Sequence, residues 1–362
     1  MHELPQTVDV LNDWVKAMMS GSANQSATDR SDKFDSSTAE ACPQQSQGRT
    51  GLRQVPTLSL NSYTTGTAAE RTRFIDQLYS GIKDYGFIVL QDHNVSRTLL
   101  DHAYTLLQEF YALPVETKLK YAGVSGGQRG YTPFGKEHAK DSPVMDLKEF
   151  WHVGREIPEN HRFASYYPAN IWPTEIHGFQ TVFSELYAAL SETGRQLLQA
   201  LTGPLEVSST YFDSMINEGN SILRLLHYPP IPATADPRCL RAAPHEDINL
   251  ITILPAATAT GLQLKDRDGT WLDVVGKPGE LIVDAGDMLS RATNDVIPST
   301  THQVVNTASS SSRYSMPFFM HPHPEAILSC IPSCRGAGAK YPDIAAYEFL
   351  MQRLREIGLL KS

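Results

Sequence analysis

From Ile222 onward the chain breaks into short strand-like runs: ILRLLHY, INLITIL, GLQL, TWLDVV, ELIVDAGDML, THQVV and RYSMPFF. Gly, Pro, Asn and Asp punctuate them. Each run is rich in residues that pack well on a pleated, half-buried surface. Many short strands at regular spacing bury their apolar faces in few ways, and a sandwich or jelly roll is the expected outcome. This is the feature that most restricts the fold.

The part before Ile222 reads differently. VPTLSL and GFIVL are strand-like, and between them Thr67 and Glu70 form a capping-box pattern ahead of a helix with Phe74, Leu78 and Ile82 on one face. A second helix is expected after Ser96, ending at Leu113-Pro114, and a long one from near Thr174, with Phe179, Phe183, Leu186 and Leu190 inward. A last helix is expected after Asp343. Residues 20–51 are rich in Ser, Gln, Asp, Thr and Ala, with Phe34 the only aromatic, and cannot bury enough apolar surface to offset their ordering entropy. The expected division is a largely disordered extension (1–53), a helical and strand region (54–215), a jelly-roll core (216–325) and a C-terminal loop and helix (326–362).

A formal net charge of -9 excludes a globally basic surface for nucleic acid or anionic lipid. No apolar run is long enough to span a bilayer, and MHELPQTVDV has neither the basic nor the apolar region of a secretory signal. The four cysteines, Cys42, Cys239, Cys330 and Cys334, are too scattered for a disulfide framework. A reducing, cytoplasmic compartment is expected.

The run INLITIL is preceded by His245 and Asp247, in PHEDINLI. If both lie on one strand, an i, i+2 pair shares a face and can converge on one ion. His302, in STTHQVV, is the candidate third ligand. Two imidazoles and a carboxylate on one face of an octahedron leave positions open and suit a non-haem Fe(II) that activates O2. Arg313 and Ser315, in SRYSMPFF, are a second i, i+2 pair. An inward guanidinium needs an anion. That anion is either an internal Asp or Glu, or a small dicarboxylate.

These residues carry a resemblance. The ordered series VPTLSL, YGFIVLQDH, FYALPVETKLKY, RGYTPFGKE, DLKEFWHVG, LRLLHYPP, HEDINLITIL, GLQL, PGELIVDAGDML, STTHQVVN and RYSMPFF is similar to the isopenicillin N synthase-like group of Fe(II)/2-oxoglutarate-dependent dioxygenases, over residues 54–357. The fold this implies is mainly β with flanking helices around a double-stranded β-helix (jelly-roll) core. The resemblance implies that His245, Asp247 and His302 ligate iron, and that Arg313 and Ser315 hold the distal carboxylate of 2-oxoglutarate with help from Tyr228. It implies oxidation of a small molecule, by hydroxylation, desaturation or ring closure, with O2 consumed and succinate and CO2 released. Leu226 departs from the asparagine that plant members often carry two residues before that tyrosine.

Arg129, Tyr131, Phe134 and Glu137 belong by analogy to a loop that closes over the pocket, or else to ordinary surface packing. Arg224, Arg291 and Asn294 are further candidates for the pocket lining, and HPHP (321–324) offers a competing His-x-His pair in a loop expected to face solvent. Three other classes stay open: an oxidase relative that works without 2-oxoglutarate, a non-catalytic binding module, and a zinc hydrolase, against which Glu246 is expected on the face away from the triad. The oligomeric state is left open, and a monomer is compatible with the sequence.

Overall fold

The computed structural model describes residues 53–123, 128–136, 145–231, 235–236, 238–307 and 310–356. Residues 1–52 of the extension expected to be largely disordered, which include Cys42, and Glu137 lie outside the described residues.

The strands are β1 (Thr57–Ser59), β2 (Phe87–Gln91), β3 (Gly130–Thr132), β4 (Glu149–Gly154), β5 (Ile222–Tyr228), β6 (Ala242–His245), β7 (Ile251–Pro255), β8 (Leu262–Lys265), β9 (Trp271–Asp273), β10 (Leu281–Ala285), β11 (His302–Val304), β12 (Arg313–Ser315) and β13 (Phe318–Met320). A major sheet runs in the order β1-β2-β10-β7-β13-β5-β4-β3, with β12 also on β5, and a minor sheet runs β6-β11-β8-β9. Only β1 and β2 pair in parallel; the remaining pairs in these two sheets are antiparallel. With its flanking helices this is the double-stranded β-helix (jelly-roll) fold.

Alternation along the major sheet makes two cores. Trp151, Val153, Leu223, Leu225, Ile253, Val283 and Phe318 face outward and pack with Phe74, Phe110, Phe183 and Leu190 of the helices. Phe87, Val89, Leu254 and Ile282 face inward and meet Ala242, Leu262, Leu264 and Val304 of the minor sheet. Each strand therefore has one face toward helices and one toward the hollow of the roll.

The helix Ala68–Tyr85 starts with both halves of the Thr67–Glu70 capping box in place, and ends at Gly86 with φ 70°. A Cβ on Gly86 would lie 2.0 Å from Thr300 Oγ1, so this turn into β2 requires glycine. Ser96 caps the helix Arg97–Ala112, its Oγ accepting from Leu99 N–H. The long helix is Phe179–Leu201, not one from Thr174, because Gly178 adopts φ 80° just before it. ELIVDAGDML splits into β10 and a helix, Asp287–Ala292. RYSMPFF splits at Met316-Pro317 into β12 and β13, since proline has no N–H to give a ladder.

Candidate active site

The two imidazoles come from neighbouring strands. His302 of β11 is directly opposite His245 of β6, and the ring centroids are 4.4 Å apart. Each ring is oriented by a backbone carbonyl. His245 Nδ1 lies 2.7 Å from Ala243 O, and His302 Nδ1 lies 3.1 Å from Thr300 O. A protonated Nδ1 that donates to a carbonyl leaves Nε2 as the lone-pair atom, which is how metal-ligating histidines are held. Phe87 contacts the His302 ring edge-on.

Asp247 is placed otherwise than the i, i+2 reading of a single strand expects. His245 ends β6, and the next strand, β7, begins only at Ile251. Asp287 N–H donates to Asp247 O at 2.7 Å, and Met288 N–H to Asn249 O at 3.0 Å. The linking segment is thus tied to the start of the helix Asp287–Ala292 instead of to a strand ladder. Its carboxylate is aimed by Thr252, whose hydroxyl donates to Oδ2 and accepts from Asn249 Nδ2 at 2.8 Å.

The result converges. Asp247 Oδ1 is 3.9 Å from His245 Nε2 and 3.9 Å from His302 Nε2. Three donors at about 2.1 Å from one ion stand roughly 3–3.5 Å apart, so a small contraction closes them on a metal. Among the described residues this is the one group of His, Cys, Asp or Glu side chains that converges in this way. Burial, and next the His302 ring, push His245 well below the ordinary imidazole range, which keeps it neutral and ready to ligate. Asp284, buried and paired with Thr252 across the β10–β7 ladder, is pushed upward by burial and then by Asp247. An aspartate inside the apolar run LIVDA was the sequence signal for it.

Arg313 and Ser315 are both 2 % exposed and pair across the ladder with Tyr228 and Leu226 on β5. The Arg313 guanidinium lies over the Tyr228 ring at 5.0 Å, and its Nε donates to Ala259 O at 3.1 Å. Its Nη1 is buried with no partner, and no carboxylate of the described residues pairs with it. Among the described residues, therefore, no internal acid serves as its anion. Arg241, fully buried, lies close enough that Arg313, after burial, lowers its pKa. A cationic pocket walled by Tyr228, Phe150 and Leu226 fits a dianionic co-substrate such as 2-oxoglutarate.

The remaining candidates scatter. Arg224 is on the pocket face of β5, its Nε donating to His152 Nε2 at 2.7 Å. Its guanidinium is 4.3 Å from the Phe150 centroid and 5.3 Å from that of Phe319. Tyr131 pairs with Trp151 and donates to Glu149, on the helix side of the sheet. Arg129 is buried against Gly154, with Nε and Nη2 unpartnered, and burial lowers it to about 10. Phe134 is buried just beyond β3. Arg291 donates to Pro342 O and stacks on Tyr341 and Phe349, and Asn294 bonds the loop at Cys334–Gly338, so both hold the C-terminal segment. HPHP is half-buried and not fully open to solvent: both prolines are buried, His321 Nδ1 and His323 Nδ1 are shut away, and His323 stacks on Phe163. Missed by sequence reasoning were Thr252, Phe150, Phe319 and a buried Lys148–Asp146 pair at 2.9 Å, with Lys148 near His245. A zinc hydrolase would need a base at the metal, but Glu246 is exposed and accepts from the Thr301 hydroxyl.

A mononuclear facial site with open positions, set in a jelly roll together with an arginine that no acid of the described residues pairs with, is the architecture of a non-haem iron oxygenase. Comparison with known proteins narrows this. Residues 55–175 match the family model described as non-haem dioxygenase in morphine synthesis N-terminal, and residues 219–322 match that of the 2OG-Fe(II) oxygenase superfamily. The 2-oxoglutarate-Fe(II) type oxidoreductase hxnY of Emericella nidulans is 30% identical over 310 residues, 82% of this chain and 88% of that one. A crystal structure of a 2OG-Fe(II) oxygenase family protein from Caulobacter crescentus is 44% identical with TM-score 0.75, covering 83% of this chain and 98% of its own. The full-length Neurospora crassa T7H in complex with alpha-KG and thymine is 27% identical with TM-score 0.75, covering 83% and 96%. The chain belongs to the 2OG-Fe(II) oxygenase superfamily and has Fe(II)/2-oxoglutarate-dependent dioxygenase activity.

Proposed function

We propose that this dioxygenase oxidises a small, planar, polar molecule that lies against the Arg224 guanidinium, which Phe150 and Phe319 flank. The observation that carries the reading is the pocket face of the major sheet. Phe319 stands beside Thr252 in the β13–β7 register, and Thr252 holds Asp247. Phe319 therefore adjoins Thr252 and the ligand it holds, and Arg224 and Phe150 continue the same face across β5 and β4, on which a stacked planar group would present a C–H bond toward the iron. The Neurospora relative crystallised with thymine, a planar heterocycle, supports the same class.

In this reading His245, Asp247 and His302 hold Fe(II). The bound iron with 2-oxoglutarate and O2 supplies the oxidising equivalent, releasing succinate and CO2. Arg313 and Ser315 orient the distal carboxylate of 2-oxoglutarate, and Tyr228 with Phe150 and Leu226 excludes water around it. Thr252 and the backbone carbonyls of Ala243 and Thr300 keep the ligands aimed. Arg224 orients the substrate through an acceptor atom. Among the described residues no helix is long and apolar enough to cross a membrane. The thiols of Cys239, Cys330 and Cys334 are unpaired, which supports a reducing, cytoplasmic setting. The division at 54–215, 216–325 and 326–362 and a monomeric state belong to the same proposal.

The test is succinate release at fixed 2-oxoglutarate across two panels, nitrogen heterocycles and aliphatic amino or hydroxy acids. Turnover in the first panel that collapses in Arg224→Ala is the expected result. Coupled turnover confined to the aliphatic panel overturns the proposed substrate class.

A further inference from the structure

Behind the pocket, on the helix side of the same strands, a buried polar chain ends at the residue next to Arg313. Glu149, 5 % exposed, stands at its head. Lys118 Nζ donates to its two oxygens at 3.1 and 3.0 Å, and the Tyr131 hydroxyl also donates to it. His227 Nδ1 lies 2.7 Å from Glu149 Oε1, and His227 Nε2 lies 3.0 Å from Ser312 Oγ. Burial pushes the Glu149 carboxyl upward, but the His227 hydrogen bond and Lys118 outweigh it and hold the group below the usual range. A carboxylate there takes the Nδ1–H of His227, which leaves Nε2 to accept from the Ser312 hydroxyl.

The target of this chain is a short strand. Among the described residues its far edge is tied only through Tyr314, whose N–H donates to Thr258 Oγ1 at 2.9 Å and whose carbonyl accepts from Thr258 N–H at 3.2 Å, and through the Arg313 Nε bond to Ala259 O. β12 has three residues and pairs with β5 alone. Arg313 and Ser315 point into the pocket, and Tyr314 points the other way and lies flat on the His227 ring, 4.8 Å between centroids at 10°. Tyr111 covers another side of that ring at 5.0 Å and donates its hydroxyl to Leu225 O. One imidazole thus grips β12 twice from behind, through Ser312 and through Tyr314.

We propose that Glu149 and His227 are positioning residues for the co-substrate: they hold β12 at the height at which Arg313 and Ser315 meet the distal carboxylate of 2-oxoglutarate. The Lys118–Glu149 pair is complete without His227, so the extension to Ser312 serves β12 and not the ion pair. This inference rests on the reading that Arg313 binds 2-oxoglutarate.

The variants are Ser312→Ala, Ser312→Thr and His227→Phe, the last keeping a ring against Tyr314. Binding of 2-oxoglutarate is titrated anaerobically on Fe(II)-loaded protein through the visible band, and kcat and the Michaelis constant for the co-substrate are measured alongside. Ser312→Ala should raise both the dissociation constant and the Michaelis constant about fivefold, the size one neutral hydrogen bond carries. In Ser312→Thr the affinity should return toward wild type, and kcat at saturating co-substrate should change by less than about twofold in all three. Should His227→Phe fail to fold, the Ser312 pair decides. Unchanged 2-oxoglutarate affinity in folded Ser312→Ala overturns the proposal. A wild-type protein that binds no 2-oxoglutarate overturns the underlying reading first, before any variant is compared.

Discussion

Replacing Arg313 by methionine separates the stability of the empty pocket from the stability contributed by its ligand. In the wild type the guanidinium is buried, its Nη1 lacks a partner, Nε bonds Ala259 O, and the group lies over Tyr228. Removing an unsatisfied buried N–H recovers about 1–3 kcal/mol, while losing the Nε bond and the contact over the Tyr228 face costs a similar amount. The two nearly cancel, so the ligand-free variant should melt within about 3 °C of wild type. With 2-oxoglutarate the balance is different. Truncating one partner of a buried charge pair costs about 3–4 kcal/mol, hence a hundredfold or greater loss of affinity. At a concentration a hundred times the wild-type dissociation constant, 2-oxoglutarate stabilises wild type by about 2.7 kcal/mol. It should stabilise Arg313→Met by no more than about 0.4 kcal/mol. In an anaerobic thermal-shift assay with constant Fe(II), that is a rise of about 5 °C for wild type and about 1 °C or less for the variant. A wild-type-sized rise in Arg313→Met would falsify the assignment of Arg313 as the anion's partner.

Three other perturbations follow from the packing. Thr252→Val removes the hydroxyl that aims Asp247, and should weaken Fe(II) binding about 10–100-fold in a competitive chelator titration while the fold is kept. Gly194 faces the sheet so closely that a Cβ would lie 2.5 Å from Met320 Sδ and 2.7 Å from Ile253 Cδ1. Gly194→Val should therefore lose about 2 kcal/mol in a urea melt, and an unchanged midpoint would show that the contact yields freely. His321 is pushed to about 4 by burial, from 6.5, with Asp247 opposing weakly. As pH falls from about 6.5 to 4 the unfolded chain takes up this proton first, so folded stability contributed by the neutral ring is lost across that window, by about 2 kcal/mol. The drop in melting temperature between pH 7 and pH 5 should be smaller in His321→Phe; an equal drop in both would place the acid sensitivity elsewhere.

Much of the architecture is legible because it is written in local chemistry. The Thr67–Glu70 box and the Ser96 cap set two helix starts where the sequence places them. The run ILRLLHY forms β5 in full. β3, β4 and β6 carry no clear strand pattern, since Glu149 and His152 interrupt the apolar run of β4 and Pro244 that of β6. Those polar residues make sense only once the far side of the sheet is known: Glu149 meets Lys118 and His227, and His152 meets Arg224. In the site, HxD is readable as a ligand pair, but its geometry is not. Asp247 is aimed by a helix start and by Thr252, both distant in sequence or disguised as ordinary strand residues. The placement of Tyr131 on the helix face depends on pairing with Trp151, which no local pattern reveals.

The direct opposition of His245 and His302 across the β6–β11 ladder has a consequence for how such a site changes over time. Their spacing is a property of two hydrogen-bonded strands, whose separation is the same in every sheet. Residues inserted or deleted in the connections between β6 and β11 leave that distance untouched as long as the two strands still pair. The loops at the mouth, apart from the 246–250 link that carries Asp247, are thereby released from any duty toward the metal. Lineages can lengthen, shorten or re-sequence them to suit a new molecule, and the reactive centre is inherited unchanged.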